Sequence, residues 1–191
     1  MKRIMVIGGP GSGKSTLARR IGRHRDLPVV HLDQLTFDPG WVERPNDIRD
    51  AELADIVATQ RWVMDGNYTR SWPARLTRTD AVIWIDIPVW TRLWRVLRRS
   101  WIYRGQVRPD LPPGCPEVFS TQTIGFLIYI LRTAPGFAAQ VDRAITPSGV
   151  PLYRFNNNAD ADAWVDRMMP PDVQVQDAVG QGGQLQPQAK K

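Results

Sequence analysis

Cysteine is almost absent from this 191-residue chain, with Cys115 the only one. A lone thiol makes no internal disulfide and no cysteine-based metal cage, which excludes a disulfide scaffold and agrees with a reducing compartment. Cys115 itself reads as an inert thiol. Histidine is equally scarce: His24 and His31 have no second His or Cys at ligand spacing and read as a surface residue and a strand-end residue. No run of eighteen apolar residues occurs, and Gly8 interrupts the N-terminal apolar stretch before it reaches signal-peptide length. The expectation is a cytoplasmic protein without a membrane partner. No internal repeat is visible. Lysine is short too, with 4 against 21 arginines and 19 acids, so the net charge of +6 rests on guanidinium groups. Arginine suits planar oxyanions. Such an excess fits nucleic-acid binding or an enzyme that closes arginines around a triphosphate, and charge alone does not choose.

What is present is a phosphate-cradle signature, Gly8-Gly9-Pro10-Gly11-Ser12-Gly13-Lys14-Ser15-Thr16, directly after the apolar run Ile4-Met5-Val6-Ile7. Glycines are needed there because only they let consecutive N–H groups curl inward onto phosphate oxygens. A strand should precede the loop and a helix should follow, and Leu17-Ala18-Arg19-Arg20-Ile21 supplies the helix. Lys14 is expected to reach the β- and γ-phosphates of ATP, Ser15 to coordinate Mg²⁺, and Thr16 to add an α-phosphate contact.

Beyond the loop, Leu27–Asp33 reads as a second strand ending in a carboxylate, and Thr36–Asn46 as a loop rich in turn residues. A helix capped by Asn46 or Asp47 and running to about Gln60 follows, with Ile48, Leu53, Ile56 and Val57 on its apolar face. Arg61–Asp65 reads as a third strand, Ser71–Thr77 as a short helix, and Ala81–Ile87 as a strand buried on both faces. From Val89 to about Tyr103, Trp90, Leu93, Trp94, Leu97 and Trp101 recur at helical spacing and are expected to pack on the core. The Pro- and Gly-rich stretch from Gly105 to Pro116 is a loop. Helical patterning resumes at Phe119–Leu131 and Phe137–Ile145, then a last strand at Val150–Phe155 and a closing helix at Ala159–Met169. One domain is expected over residues 1–169, and 170–191, dominated by Gln, Gly and Pro, reads as a disordered tail.

Alternating strands and helices imply a doubly wound parallel α/β sheet, whose ligands gather at the carboxyl ends of the strands. Gly8–Ser15, Asp33 and Asp65 all fall at such ends. Asp65 is a candidate for the Mg²⁺ shell, with a turn cap as the plain alternative. Asp33 is a candidate base or substrate contact, with a turn cap again the alternative. Asp86 reads as structural. Six arginines lie between positions 92 and 108 without one acid among them. Arg98, Arg99, Arg104 and Arg108, at about residues 98–118, could form a lid over a transferring phosphoryl, or only a solvated helix face. Arg44, Arg49 and Arg70 are candidates for an acidic or phosphorylated acceptor.

The cradle, His31-Leu32-Asp33, Pro39-Gly40-Trp41, Trp62-Val63-Met64-Asp65-Gly66-Asn67-Tyr68, Arg104-Gly105, Arg108-Pro109-Asp110 and Gly114-Cys115-Pro116-Glu117 together resemble the bacterial DNA topology modulation protein family, adenylate kinase-like P-loop proteins. The likeness runs to about residue 168. It implies a three-layer α/β/α fold with a five-stranded parallel sheet ordered 2-3-1-4-5. Adenylate kinases carry Asp-Gly-Phe-Pro-Arg after the third strand, which Asp65-Gly66-Asn67-Tyr68 matches only in its first two residues. His31-Leu32-Asp33-Gln34 looks more like kinases of hydroxyl-bearing acceptors, whose strand-end Asp works as a base. The resulting expectation is a Mg²⁺-ATP-dependent small-molecule phosphotransferase. The alternative is an ATP-binding, DNA-associated regulator of DNA topology, though no recognition-helix motif is visible.

Overall fold

The computed structural model describes residues 1–118 and 120–168. The tail expected over 170–191 lies outside the described residues.

β1 (Arg3–Gly8) is buried over its last five residues and alternates between two cores. Ile4 and Val6 face one core with Leu17, Ala18 and Ile21 of α1 (Lys14–Arg25) and Ala161, Trp164 and Val165 of α7 (Asn158–Met168). Met5 and Ile7 face the other, with Leu53 and Val57 of α3 (Asn46–Ala58), Trp72 and Leu76 of α4 (Trp72–Leu76) and Val141 of α6 (Thr121–Ala144). A strand whose odd and even side chains both meet helices reads as a continuous apolar run, and the result is three layers, α/β/α.

The central sheet has the order β2-β5-β1-β6-β7, formed by Val29–His31, Trp62–Asp65, β1, Ala81–Ile85 and Leu152–Phe155. Every neighbouring pair is parallel, so the expected order 2-3-1-4-5 is borne out. Register aligns Val6 and His31 with Asp65, and Gly8 with Ile85, so the carboxyl ends of four strands form one rim. The chain winds outward from β1 in both directions, which opens a crevice above that rim.

Several local expectations are corrected. The second strand stops at His31, because its ladder partner β5 ends at Asp65, and Asp33 falls in the first turn of α2 (Leu32–Thr36) instead. The stretch 36–46 is not simply loop: β3 (Phe37–Asp38) and β4 (Val42–Glu43) pair antiparallel around Pro39-Gly40-Trp41. Asn46 begins α3 rather than capping it, since Pro45 is the N-cap and no side chain caps the end. Ile48 on that helix is exposed. The two helical segments after residue 119 are one helix, α6, with Pro135 inside it. Proline deprives the Leu131 carbonyl of its partner, and Leu131 lies on the exposed side, where water can serve it.

The largest correction concerns α5 (Val89–Ile102). It buries Arg92, Leu93, Val96 and Ser100, whereas Trp90, Trp94 and Trp101 are 72%, 65% and 67% exposed. The arc carrying Arg92 and Val96 is taken by the glycine loop, where a Cβ on Gly11 would meet the Arg92 carbonyl and Val96. Leu93 and Val96 meet Ile130 of α6 on the adjoining arc. Nothing among the described residues needs the tryptophan side for the core.

Candidate functional site

The glycine loop between β1 and α1 is held in shape by its surroundings as much as by its own glycines. Gly8 has φ of 146°, and a Cβ there would lie 2.4 Å from the Ile85 carbonyl oxygen. Gly13, at φ 100°, is the left-handed N-cap of α1. Neither position admits another residue without distortion. Four side chains brace the loop from outside. Asn67 Oδ1 accepts the Gly8 N–H at 3.1 Å. Asn158 Nδ2 donates to the Ser12 carbonyl at 2.9 Å, and Arg95 donates to Asn158 Oδ1 at 2.6 Å. Arg92 spreads against Gly9 while its Nε donates to the Ile87 carbonyl at 3.0 Å. No simple motif in the sequence announces Asn67 or Asn158. Asn158 becomes visible only once the first residue of α7 is known to sit over the loop.

Asn67 owes its place to Arg75. That guanidinium is fully buried, without a carboxylate partner among the described residues, and burial pushes its pKa down to about 9. It donates to the carbonyls of Gly66 at 3.3 Å, Asn67 at 2.5 Å and Tyr68 at 3.5 Å. Trp72 Nε1 donates to the Asn67 carbonyl as well, at 2.6 Å. The latch holds a segment in which Tyr68 adopts φ of 25°, a conformation that costs a non-glycine residue about 1–3 kcal/mol.

At the rim, His31 Nδ1 lies 2.9 Å from Asp65 Oδ1, both side chains buried. Asp65 Oδ2 is buried with no hydrogen-bond partner among the described residues, as is Ser12 Oγ beside the loop. A carboxylate oxygen without a donor is poised for a cation or its water shell. Lys14 Nζ donates to the Gly9 carbonyl at 3.3 Å. Burial lowers its pKa, while the charges of Asp65 and Asp33 oppose that shift. Asp33 is open to the crevice. Desolvation by the crevice walls pushes its pKa up and Lys14 pulls it back, with water screening both effects. Lys14, Asp33 and Asp65 thus share one electrostatic neighbourhood, which Asp33 reaches from the first turn of α2 rather than from a strand end.

The arginines divide into distinct groups. Arg108 is buried, with Nε 2.7 Å from Glu117 and Nη1 2.7 Å from Asp110. Arg99 Nε lies 3.2 Å from the same Glu117 oxygen, and burial lowers its pKa, with Arg108 adding to the effect. The charge of Asp33 acts on Arg99 and that of Arg108 on Asp33, so the three groups are electrostatically linked. Arg104 is exposed, and its backbone bridges to Glu117. The loop from Gly105 to Pro116 rests on the β3–β4 hairpin. Gly40 N–H donates to the Gly114 carbonyl at 2.8 Å, Trp41 Nε1 to the Pro116 carbonyl at 2.9 Å and the buried Cys115 thiol to the Asp38 carbonyl at 3.2 Å. Arg44 pairs with Asp38 at 2.6 Å and Glu52 at 2.9 Å, Arg49 with Glu43 at 3.3 Å and Arg70 with Asp50 at 3.2 Å.

Among solved structures the chain is similar to a shikimate kinase from Bacteroides thetaiotaomicron, with 18% identity over 87% of this chain and 96% of that one and a TM-score of 0.54. It therefore has a P-loop NTPase fold. An uncharacterized protein from Eubacterium ventriosum matches more loosely, at 13% identity over 86% of this chain and 97% of that one, with a TM-score of 0.48. No family model matches the chain, and no curated protein does.

The chain's own atoms suit a nucleotide and a hydrated metal ion. The left-handed glycines make a cradle that side chains would fill, and the unpaired Asp65 oxygen suits a hydrated cation. The described residues hold no cluster of three or more His, Cys, Asp or Glu able to cage a metal. Mg²⁺ needs none, since it takes one or two protein oxygens and completes its shell from phosphates and water.

Proposed function

We propose that this protein is a Mg²⁺-ATP-dependent phosphotransferase acting on the hydroxyl of a small acceptor. The observation that carries the reading is the meeting of Lys14, Asp33 and Asp65 at one crevice, with Asp33 open to it and its pKa raised. Residues Gly8–Thr16 hold the triphosphate, their N–H groups and the N-terminus of α1 directed at its oxygens. Ser15 and Asp65 would hold Mg²⁺. When bound, Mg²⁺ supplies charge neutralisation across the β- and γ-phosphates.

Lys14 exchanges its Gly9 carbonyl contact for phosphate oxygens. Asp33 takes the acceptor's hydroxyl proton as the new oxygen–phosphorus bond forms; the bond from the γ-phosphorus to the bridging oxygen breaks, and ADP leaves with that electron pair. A carboxyl whose pKa lies above the ordinary range is a better base near neutrality than a solvated one. Arg99 and Arg108 stabilise charge on the transferring phosphoryl, with 98–118 as the lid that carries them and Arg104 closing from its exposed position. Arg44 and Arg70 contact the acceptor by releasing their present carboxylates. This chemistry also agrees with the chain's resemblance to the adenylate kinase-like topology modulation proteins.

The test is a coupled ADP-release screen with Mg²⁺-ATP against nucleosides, nucleoside monophosphates and hydroxylated acids. Shikimate belongs in the panel because the similar structure is a shikimate kinase. At least one acceptor should raise turnover well above basal hydrolysis, and Asp33→Asn should remove most of that increment. If no acceptor raises turnover, the kinase reading fails; if Asp33→Asn keeps full turnover on a hydroxyl acceptor, Asp33 is not the base.

A further inference from the structure

We propose that the outer face of α5 and α6 docks this protein on the surface of an anionic phospholipid bilayer. The stretch Thr123–Ser148 is long and apolar enough to cross a membrane by length and composition, yet most of it is not buried. Ile124, Phe126, Ile128, Tyr129 and Leu131 are exposed on its N-terminal half. A helix apolar on all sides is expected in a core or in lipid, not in water. Against it, through Leu93, Val96 and Ile130, packs α5 with its exposed Trp90, Trp94 and Trp101. Two neighbouring helices therefore both present large apolar side chains outward, well beyond the scattered exposure normal for a surface.

Charge selects the occupant. From Val89 to Val141 the only acids are Asp110 and Glu117, and both are buried in ion pairs with Arg108. Arg98 and Arg132 are exposed among the apolar residues. Tryptophan and tyrosine with interspersed arginine is the chemistry of the lipid interface, where rings sit at headgroup level and guanidinium groups meet phosphates. A second copy laid symmetrically over the α5 tryptophans and the N-terminal half of α6 would set arginine near arginine, because the one exposed acid of the two helices, Asp142, lies at the far end of α6. Residues 169–191 are poor cover, since they contain no aromatic residue and are mostly polar, Gly or Pro. The helix lies on the surface rather than crossing it, because its other half is committed to the fold. Val141 and Ile145 are in the core, and Phe137 packs edge-on to Trp72 and Trp84.

The test is co-sedimentation of the full chain with vesicles of phosphatidylcholine alone and of phosphatidylcholine with one quarter phosphatidylglycerol. Binding should be about ten-fold or more tighter to the anionic vesicles. It should weaken at least ten-fold in Trp90→Ser/Trp94→Ser, and several-fold in Arg98→Gln/Arg132→Gln. Should the tryptophan variant not fold, quenching of wild-type tryptophan fluorescence by brominated lipid gives the same answer and is expected on anionic vesicles. Absence of binding and quenching, equal binding to both vesicle types, or a concentration-dependent dimer abolished by the tryptophan substitutions would each overturn the proposal.

Discussion

Replacing Arg75 with methionine isolates the latch that sets the glycine loop. Methionine keeps much of the apolar stem and removes every donor, so the change is confined to the guanidinium contacts. The Gly66 carbonyl loses its Arg75 contact, while the Asn67 carbonyl retains Trp72 and the Tyr68 carbonyl retains the Ser71 N–H and hydroxyl. A buried acceptor left without a donor costs ~1–3 kcal/mol, and the 3.3 Å contact to Gly66 belongs near the low end of that range. The 2.5 Å contact to Asn67 adds a charge-assisted bond of ~1.5–3 kcal/mol. Against these losses stands relief of the desolvation that burial imposes on the guanidinium, the same effect that depresses its pKa. The net expectation is a loss of ~2–3 kcal/mol, or a fall in Tm of roughly 5–10 °C for a chain of this size. Urea unfolding at pH 7 followed by far-UV circular dichroism measures it. Because the latch positions Asn67 under Gly8, ATP affinity should fall too, by several-fold at a temperature where the variant is folded. A variant within ~0.5 kcal/mol of wild type, a change no larger than an ordinary surface substitution, would refute the latch. A destabilised variant with unchanged ATP affinity would refute its link to the loop.

Other perturbations probe different parts of the account. The acid limb of kcat/KM against pH should lie above the usual carboxylate range of about 4 and vanish in Asp33→Asn, because a raised folded pKa requires higher pH to free the base. Asn158→Ala should raise KM for ATP by about three- to ten-fold, since it removes the 2.9 Å bond to Ser12 and the anchor of Arg95, while Tm shifts by only a few degrees. Desolvation alone would raise the pKa of Asp80, but hydrogen bonds from Lys2 and Arg3 reverse it to a net lowering. A depressed folded pKa gives stability that is present above the unfolded pKa and lost as pH falls through the folded one. Asp80→Asn should therefore cost about 1–2 kcal/mol at neutral pH, with the gap to wild type closing below about pH 4 in thermal melts.

Much of the fold was legible because the strands that matter most are buried on both faces and read as short continuous apolar runs, two of them ending at a glycine and the third stopped by Pro88. Ile4–Ile7, Arg61–Asp65 and Ala81–Ile87 read as strands for that reason, and the observed strands Arg3–Gly8, Trp62–Asp65 and Ala81–Ile85 differ from them only at their ends. The glycine signature located the site because its spacing is itself a backbone requirement. What escaped notice depends on neighbours remote in sequence. The end of β2 follows from where β5 stops, and the orientation of α5 from competition between the glycine loop and α6 for its surface. Periodicity found the tryptophan stripe but not which way it faces. Arg75 and Asn158 act through contacts with carbonyls of other segments, and no pattern of residue types encodes such a contact.

The central claim is transfer of the γ-phosphoryl to a hydroxyl with Asp33 taking the proton, and phosphorus NMR follows that group directly. With Mg²⁺-ATP and an acceptor found in the screen, the wild-type protein should produce a phosphate-ester resonance that grows in step with ADP, and Asp33→Asn should bind ATP normally yet form the ester at least a hundred-fold more slowly. Appearance of inorganic phosphate alone, or an ester formed at equal rates by both proteins, would contradict it.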